Sequence, residues 1–495
     1  MREKIDRIKF GTDGWRGLIA ENFTFKNVEI VSQATADYLN SGKPESPSKK
    51  SVVIGYDTRF LSQKFASAAA KVLAGNGLNV ILSKSFLPSP ALSWSVVNRK
   101  ASLGIMITAS HNSCEYNGFK IKTEIGSSAE NLVTGSIEKY LYQNKPKSGT
   151  DILSVNLIPS YLKKLKNFVD MELLKKCRIK IIYDPMFGAG MNLLPQILMS
   201  TGCRVSLIHC AADPCFGGLH PEPIEKYLGD LICEVKKVKA DIGIATDGDA
   251  DRIGAVDDKG RYLTPHQIFP LILSYLIEEK KLKGKVVQAI SLGYLGERIA
   301  KFYGLPFEEV PVGFKYIAGL MAKENVLMGG EESGGFGHRG YIPERDGTLN
   351  ALLLIEMLVK KGKKLSVILG ELQRRFGASH YGRMDLKYED FKNPQKNSQV
   401  KGQNFKKDMT EAIIKKLPMN IAGMKVRETK TYDGVKFILG EKDVIGGEAW
   451  LLLRASGTEP LVRIYAESNS PKKTKELLGT GKKMVYTRFF ERINK

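Results

Sequence analysis

The sequence predicts an α/β protein built from three related strand–helix–strand units and a fourth part of different character. Two observations carry this. The order apolar strand, helix, glycine break, apolar strand occurs three times, and each copy is followed by another strand that ends in a loop of polar residues. Beyond about Arg374 that rhythm stops and the chain becomes polar and irregular. A chain of 495 residues is in any case too long for one core and suits three or four domains.

The first unit runs from the strand Ser51 to Asp57 through an Ala-, Phe-, Val- and Leu-rich helix, Gln63 to Ala74. Gly75-Asn76-Gly77 stops that helix before a strand from Leu78 to Leu82. The second has a strand from Ile179 to Tyr183, a helix near Leu193 to Met199, a break at Gly202 and a strand from Arg204 to Ile208. The third passes from Val286-Val287 through a helix, Gly296 to Phe302, to Phe307–Val310. The loops that follow are Thr108-Ala109-Ser110-His111-Asn112, Thr246-Asp247-Gly248-Asp249-Ala250-Asp251-Arg252 and Gly329 to Gly335. Loops at the carboxyl ends of strands are where open α/β sheets bind ligands, so three related units would each offer one loop to a shared cleft. In the fourth part, Asn393 to Gln399 reads as a linker or mobile edge. Trp450–Leu453 and Leu461–Tyr465 read as neighbouring strands, and Lys472 to Phe490 as a closing helix.

Composition narrows the partners. An apolar content of 43% and a charged content of 26% describe an ordinary soluble globular chain. No apolar run approaches the ~18–20 residues of a membrane span, and the charged N-terminus lacks a signal core, so no membrane is expected as partner. The six cysteines show no CxxC spacing, which suits reduced thiols in the cytoplasm. The net charge of +22 would suit a nucleic-acid binder or a protein that attracts small anions. Its lysine clusters lack interleaved aromatics and zinc-finger spacing, so no specific nucleic acid is expected.

The loops carry the chemistry. Ser110 is delivered from the end of a buried strand with His111 beside it and Lys120 ten residues on. It is a candidate nucleophile or phosphoryl acceptor, the alternative being an ordinary polar turn. Asp247, Asp249 and Asp251 alternate with small residues in a tight turn, a set of hard oxygen ligands suited to Mg²⁺. An EF-hand is excluded, because its sixth position, counted from Asp247, holds Arg252 instead of glycine. Arg454-Ala455-Ser456-Gly457-Thr458, with Arg463 nearby, offers a guanidinium, hydroxyls and backbone N–H groups for a phosphate monoester. Glu331-Glu332-Ser333, between paired glycines, suits sugar hydroxyls or else is a simple acidic turn.

Taken together, Gly11 to Gly17 (Gly-Thr-Asp-Gly-Trp-Arg-Gly), Thr108 to Asn112, Thr246 to Arg252, Gly330 to Gly334 and Arg454 to Thr458 occur in the order found in the α-D-phosphohexomutases. The chain resembles that family from Phe10 to about Glu467. The resemblance implies three related α/β domains with mixed sheets plus a smaller C-terminal α+β domain of the TATA-binding-protein-like type, around a central cleft. The domains are then expected at 1–150, 151–258, 259–373 and 374–495. They would carry in turn the phosphoserine, metal, sugar-binding and phosphate-binding loops.

Carried over by position, the resemblance makes Ser110 the phosphorylated serine. Asp247, Asp249 and Asp251 would hold Mg²⁺ together with an oxygen on Ser110, and Arg16, His111, Lys120 and Arg252 would surround the transferring group. Glu331 and Ser333 would bind the sugar, and Arg454, Ser456, Gly457, Thr458 and Arg463 the non-reacting phosphate. The implied activity is a phosphoglucomutase acting on phosphorylated hexose through glucose 1,6-bisphosphate. Phosphomannomutase or dual specificity is the alternative. A metal-dependent sugar phosphatase and a non-catalytic sugar-phosphate binder are the readings from other classes. Three positions depart from the family pattern. Ser113 stands where Pro is usual, Gly335 where mannose-type members have His, and Tyr341 where glucose-type members often have His. Lys120 and His338 remain as candidates for the general base.

Overall fold

The computed structural model describes residues 8–11, 13–42, 50–387, 405–441, 447–456 and 461–490. The chain divides into two compact units, Met1–Val287 with Gly313–Ile368, and Gln288–Val312 with Leu369–Lys495. No helix among the described residues is long and apolar enough to cross a membrane.

The first unit contains two mixed sheets. One comprises β1 (Trp15–Leu18), β2 (Ser51–Tyr56), β3 (Asn79–Ser83), β4 (Leu103–Ile107), β5 (Tyr116–Thr123) and β6 (Ile152–Val155), in the order β1-β5-β4-β2-β3-β6. Strands β6, β3, β2 and β4 run parallel, while β5 is antiparallel to β4 and to β1. Strand β2 reads Ser-Val-Val-Ile-Gly-Tyr, a near-continuous apolar run, because both of its faces are covered. The helix Ser62–Gly75 turns Phe65, Ala66, Ala69, Ala70 and Leu73 into the core shared with Val52 and Ile54, a stripe at helical spacing. The second sheet comprises β7 (Lys180–Asp184), β8 (Arg204–Leu207), β9 (Ile242–Thr246), β10 (Ile253–Asp257) and β11 (Tyr262–Leu263), in the order β11-β10-β9-β7-β8.

The repeat is visible in these orders. In the first sheet β5-β4-β2-β3 and in the second β10-β9-β7-β8 have the same sequence of neighbours and the same change from parallel to antiparallel. Ser110 lies in the turn between β4 and β5, and Asp247 to Asp251 lie in the equivalent turn between β9 and β10. The third loop repeats the device. Val326–Gly330 pairs antiparallel with Phe336–His338, and Glu331 to Gly335 form the turn between them. The elements of the third copy, Lys285–Ala289, Leu295–Phe302 and Phe307–Val310, form within a residue or two of their expected bounds.

The second unit contains a wholly antiparallel sheet of six strands. Their order is His380–Lys387, Leu461–Ser468, Glu448–Ala455, Val435–Gly440, Met424–Lys430, Asn420–Ile421. Alternation sets its core. Val435, Phe437 and Leu439, Leu451 and Leu453, and Val462, Ile464 and Ala466 share one buried face, packed against Met409 and Ile413 of one helix and Leu477 and Met484 of another. The closing helix spans Pro471–Val485, capped by Ser470, and passes into a π-helical turn over Tyr486–Phe490. The polar stretch Asn393 to Gln399 lies outside the described residues.

Close backbone packing beside the serine turn generates a stability prediction. Gly118 on β5 faces Arg16 on β1, and a Cβ there would sit 2.4 Å from the Thr108 carbonyl oxygen and 2.9 Å from that of Trp15. Both neighbours are backbone, so the strands themselves must move. Gly118→Ala is expected to lower the stability of the protein by about 1–3 kcal/mol, read from the urea midpoint.

Candidate active site and metal centre

Strand β4 is wholly buried and ends at Ile107, so the following residues must turn within the protein. Ser110 does so with φ +53°, in the left-handed region. Its N–H donates to Thr108 Oγ1 at 2.9 Å, and its hydroxyl donates to Asp247 Oδ2 at 3.0 Å. His111 Nδ1 lies 3.4 Å from the same hydroxyl. Desolvation, followed by the Arg252 and Arg16 guanidiniums, pushes the His111 pKa well down, so its ring is neutral. Arg16 donates to Asn112 Oδ1 from the neighbouring strand.

The acidic turn is equally buried. Asp247 Oδ1 accepts from the backbone N–H of Asp251 and of Arg252, which winds the turn around its first residue. Asp247, Asp249 and Asp251 each place a carboxylate oxygen within 4.8 Å of the other two. Asp249 Oδ1 and Asp251 Oδ1 are buried and accept no hydrogen bond among the described residues. Orphaned carboxylate oxygens in a dry site call for a cation, and three hard anionic donors fit Mg²⁺ with positions left for water or a phosphate oxygen.

Cations already stand beside this cluster, Arg252 lying 3.7 Å from Asp251. Lys120 on β5 reaches Asp249 and Asp13, each at 2.9 Å. Arg345 reaches Asp251 at 2.7 Å, Asp13 at 3.0 Å and Glu331 at 3.3 Å. Burial alone would raise the Asp249 carboxyl, but Lys120 and a hydrogen bond from Ser89 hold it below the usual carboxylate range. Asp247 has no cation in contact among the described residues. Burial and repulsion from Asp251 and Asp249 raise it well above that range. Burial would lower Lys120, yet Asp13 and Asp249 raise it, so the ammonium keeps its proton. Burial raises Glu331 to about 7 against the opposing pull of Arg345.

The expected residues divide between the two units. Arg16, Ser110, His111, Lys120, Asp247, Asp249, Asp251 and Arg252 come together in the first, and Arg345 joins Glu331 to them. Ser333 Oγ is buried in the adjoining loop without a hydrogen-bond partner among the described residues. In the second unit Arg454 and Arg463 are directly opposed on neighbouring strands, and the Ser456 N–H donates to the Leu461 carbonyl at 2.9 Å. Arg454 Nε donates to Asp433 at 3.0 Å, and Arg463 lies 3.8 Å from Asp385. Gly457 and Thr458 lie outside the described residues.

His338 is not with the others. Its Nε2 lies 2.7 Å from Asn350 Oδ1, Phe168 packs near its ring, and desolvation lowers it to about 4. Tyr341 donates to Asp346 at 2.8 Å, beside a second tyrosine donor, Tyr161. Asp13, Ser89 and Arg345 carry no role in the sequence reading, yet they tie the charged groups together. Asp13 inside Gly-Thr-Asp-Gly and Arg345 before Asp346-Gly347 were the available signals, while Ser89 has none.

Family models described as phosphoglucomutase/phosphomannomutase, alpha/beta/alpha domains I, II and III match residues 7–148, 159–260 and 264–376, and that of the C-terminal domain matches 397–479. A phosphoglucomutase/phosphomannomutase of Thermococcus kodakarensis is 31% identical over 481 residues, covering 96% of this chain and 98% of that one. A phosphoglucosamine/phosphogalactosamine mutase of Sulfurisphaera tokodaii is 29% identical over 488 residues, with 96% and 98% covered. A phosphomannomutase-type crystal structure from Thermus thermophilus superposes with a TM-score of 0.83 at 33% identity, covering 97% and 99%. The likeness spans nearly the whole of both chains in each case.

The carboxylate cluster generates a metal prediction. Asp249→Asn replaces a hard anionic donor by a neutral amide, and Mg²⁺ affinity measured by calorimetry should fall at least ~10-fold. An unchanged isotherm would show that the three carboxylates do not bind the ion.

Proposed function

The chain belongs to the phosphoglucomutase/phosphomannomutase family and is a phosphohexomutase, and from that premise we propose that it interconverts glucose 1-phosphate and glucose 6-phosphate. In this reading the phosphoryl group passes through Ser110 and a glucose 1,6-bisphosphate intermediate. The observation that carries it is the Ser110 hydroxyl, donated to the one carboxylate of the buried cluster that no cation contacts among the described residues. We place four domains at 1–150, 151–258, 259–373 and 374–495, and a cytoplasmic setting accords with six unbridged cysteines.

Phosphoryl transfer asks the protein mainly for position and charge. Mg²⁺ bound by Asp247, Asp249 and Asp251 would supply neutralisation of phosphate charge. Arg16, Lys120 and Arg252 would face the equatorial oxygens, and Lys120, held protonated, acts there as a fixed charge. Neutral His111 can accept or donate one hydrogen bond at Ser110 Oγ. Glu331 and Ser333 would take the sugar hydroxyls. Arg454, Ser456, Gly457, Thr458 and Arg463 would hold the phosphate that is not reacting.

Support for glucose comes from the loop Gly330-Glu331-Glu332-Ser333-Gly334-Gly335. A Cβ on Gly335 would lie 2.2 Å from Arg345 Cδ, so the histidine of mannose-type loops would displace the guanidinium that links Asp251 to Glu331. The relatives named for glucosamine phosphates make an amino-sugar phosphate the second substrate reading.

Two outcomes test the proposal. As purified, part of the protein should carry one phosphate on the peptide holding Ser110, and Ser110→Ala should lose at least ~10³-fold in kcat while still binding substrate. Normal turnover in that variant would exclude the mechanism. With glucose, mannose and glucosamine 1-phosphates assayed side by side under bisphosphate priming, glucose 1-phosphate should have the highest kcat/KM, by roughly tenfold or more. Equal values for glucose and mannose would establish dual specificity, and net phosphate release would establish a phosphatase.

A further inference from the structure

The serine turn is held largely by a side chain from outside it. Between Ser110 and Tyr116 four backbone carbonyls converge on one point; of these, that of Ser113 also accepts the Tyr116 N–H at 3.1 Å. Arg59, whose side chain is wholly buried, fills that point. Its Nη2 donates to the carbonyls of Ser110 and Asn112, each at 2.6 Å, and its Nη1 to those of Ser113 and Tyr116, at 2.7 and 3.1 Å. Phe216 covers the guanidinium with its ring centroid 4.8 Å away.

The charge is balanced by Asp57, whose carboxylate lies 3.1 Å from Arg59 Nε. The same carboxylate accepts from Ser62 Oγ, from the Arg59 N–H and from Thr108 Oγ1. Thr108 Oγ1 in turn accepts the Ser110 N–H. Both peptide groups flanking Ser110 are thus held, one through Thr108 and the other through Arg59, and both holds end on Asp57. The Ser110 carbonyl also bounds the acidic turn, since a Cβ on Gly248 would meet it at 2.4 Å.

We propose that Arg59 is a positioning residue for phosphoryl transfer, gathering the carbonyls of the serine turn so that the left-handed backbone at Ser110 aims Oγ at Asp247. This rests on the reading of Ser110 as phosphoryl carrier. Arg59 spends both Nη groups on carbonyls and acts through Ser110. A planar fork is required for this, because one ammonium, with three donors, cannot reach four carbonyls spread over seven residues.

The test compares the full-length protein with Arg59→Lys and Thr108→Val, the latter nearly isosteric and aimed at the other peptide group. Dephosphorylated protein is mixed with glucose 1,6-bisphosphate, and the gain of one phosphate is followed by intact mass and located by peptide mapping. Both variants should gain it about 10²-fold more slowly than the parent, with KM for glucose 1-phosphate within about threefold. Charge-retaining Arg59→Lys that reacts within about threefold of the parent rate would overturn the proposal. A KM that rises in step with the loss of rate would also overturn it. Should Arg59→Lys fail to fold by circular dichroism, Thr108→Val decides by the same two criteria. A parent that takes no phosphate on Ser110 would instead remove the carrier reading itself.

Discussion

Three carboxylates confined to one buried turn repel one another, and the rest of the first unit is arranged around that repulsion. At ~4 Å and an effective dielectric of ~20, each like-charged pair costs about 4 kcal/mol, so the cluster would be unstable without compensation. Lys120 and Arg345 supply it from two separate parts of the chain, and Asp13 bridges them. The compensation is uneven. Asp249 and Asp251 each touch a cation, whereas Asp247 touches N–H and O–H donors, one of them the Ser110 hydroxyl. The charged form of Asp247 is therefore the least supported of the three by cations in contact, and a cation binding the cluster beside the Ser110 hydroxyl would favour it.

Repetition of one strand pattern explains how such distant residues meet. A parallel strand that is followed by an antiparallel one leaves a short turn at the same end of each sheet. The turns between β4 and β5 and between β9 and β10 are of this kind, and the one after Val326–Gly330 likewise leads into an antiparallel strand. Where the turns press against other parts of the site, small residues are favoured. Gly248 lies against the Ser110 carbonyl, Gly334 against the Ile253 backbone, and Gly335 against Arg345. Each of these contacts ties one turn to another part of the site, so the glycines set the spacing of the loops as well as their curvature.

The second unit meets the opposite charge problem. Arg454 and Arg463 face each other across neighbouring strands, an arrangement that like charge disfavours. Asp433 and Asp385 each approach one of them from a different strand or turn. Under the proposed function, a phosphate dianion between the two guanidiniums would offset the repulsion that remains.

Local sequence determined the elements and the chemical type of each loop. Short, β-branched apolar runs such as Ser51–Tyr56 and Ile242–Thr246, bounded by polar or turn residues, read as buried strands, and the carboxylates of Asp247, Asp249 and Asp251 stand out at alternate positions. Alternation likewise made Glu448–Ala455 and Leu461–Ser468 legible as neighbouring strands. What tertiary structure alone decided is the partner of each charge. Nothing near Lys120 in sequence reveals that it faces Asp249, 129 residues away, and nothing near Arg345 reveals Asp13, 332 residues away. His338 and Tyr341 stood in suggestive places, but packing committed them to Asn350 and Asp346. Arg59 gives no local sign of its hold on the serine turn. Strand and turn formation follow from interactions between residues near in sequence, which a chain displays directly. The balance of buried charge depends on distances that exist only after separate strands have been packed together.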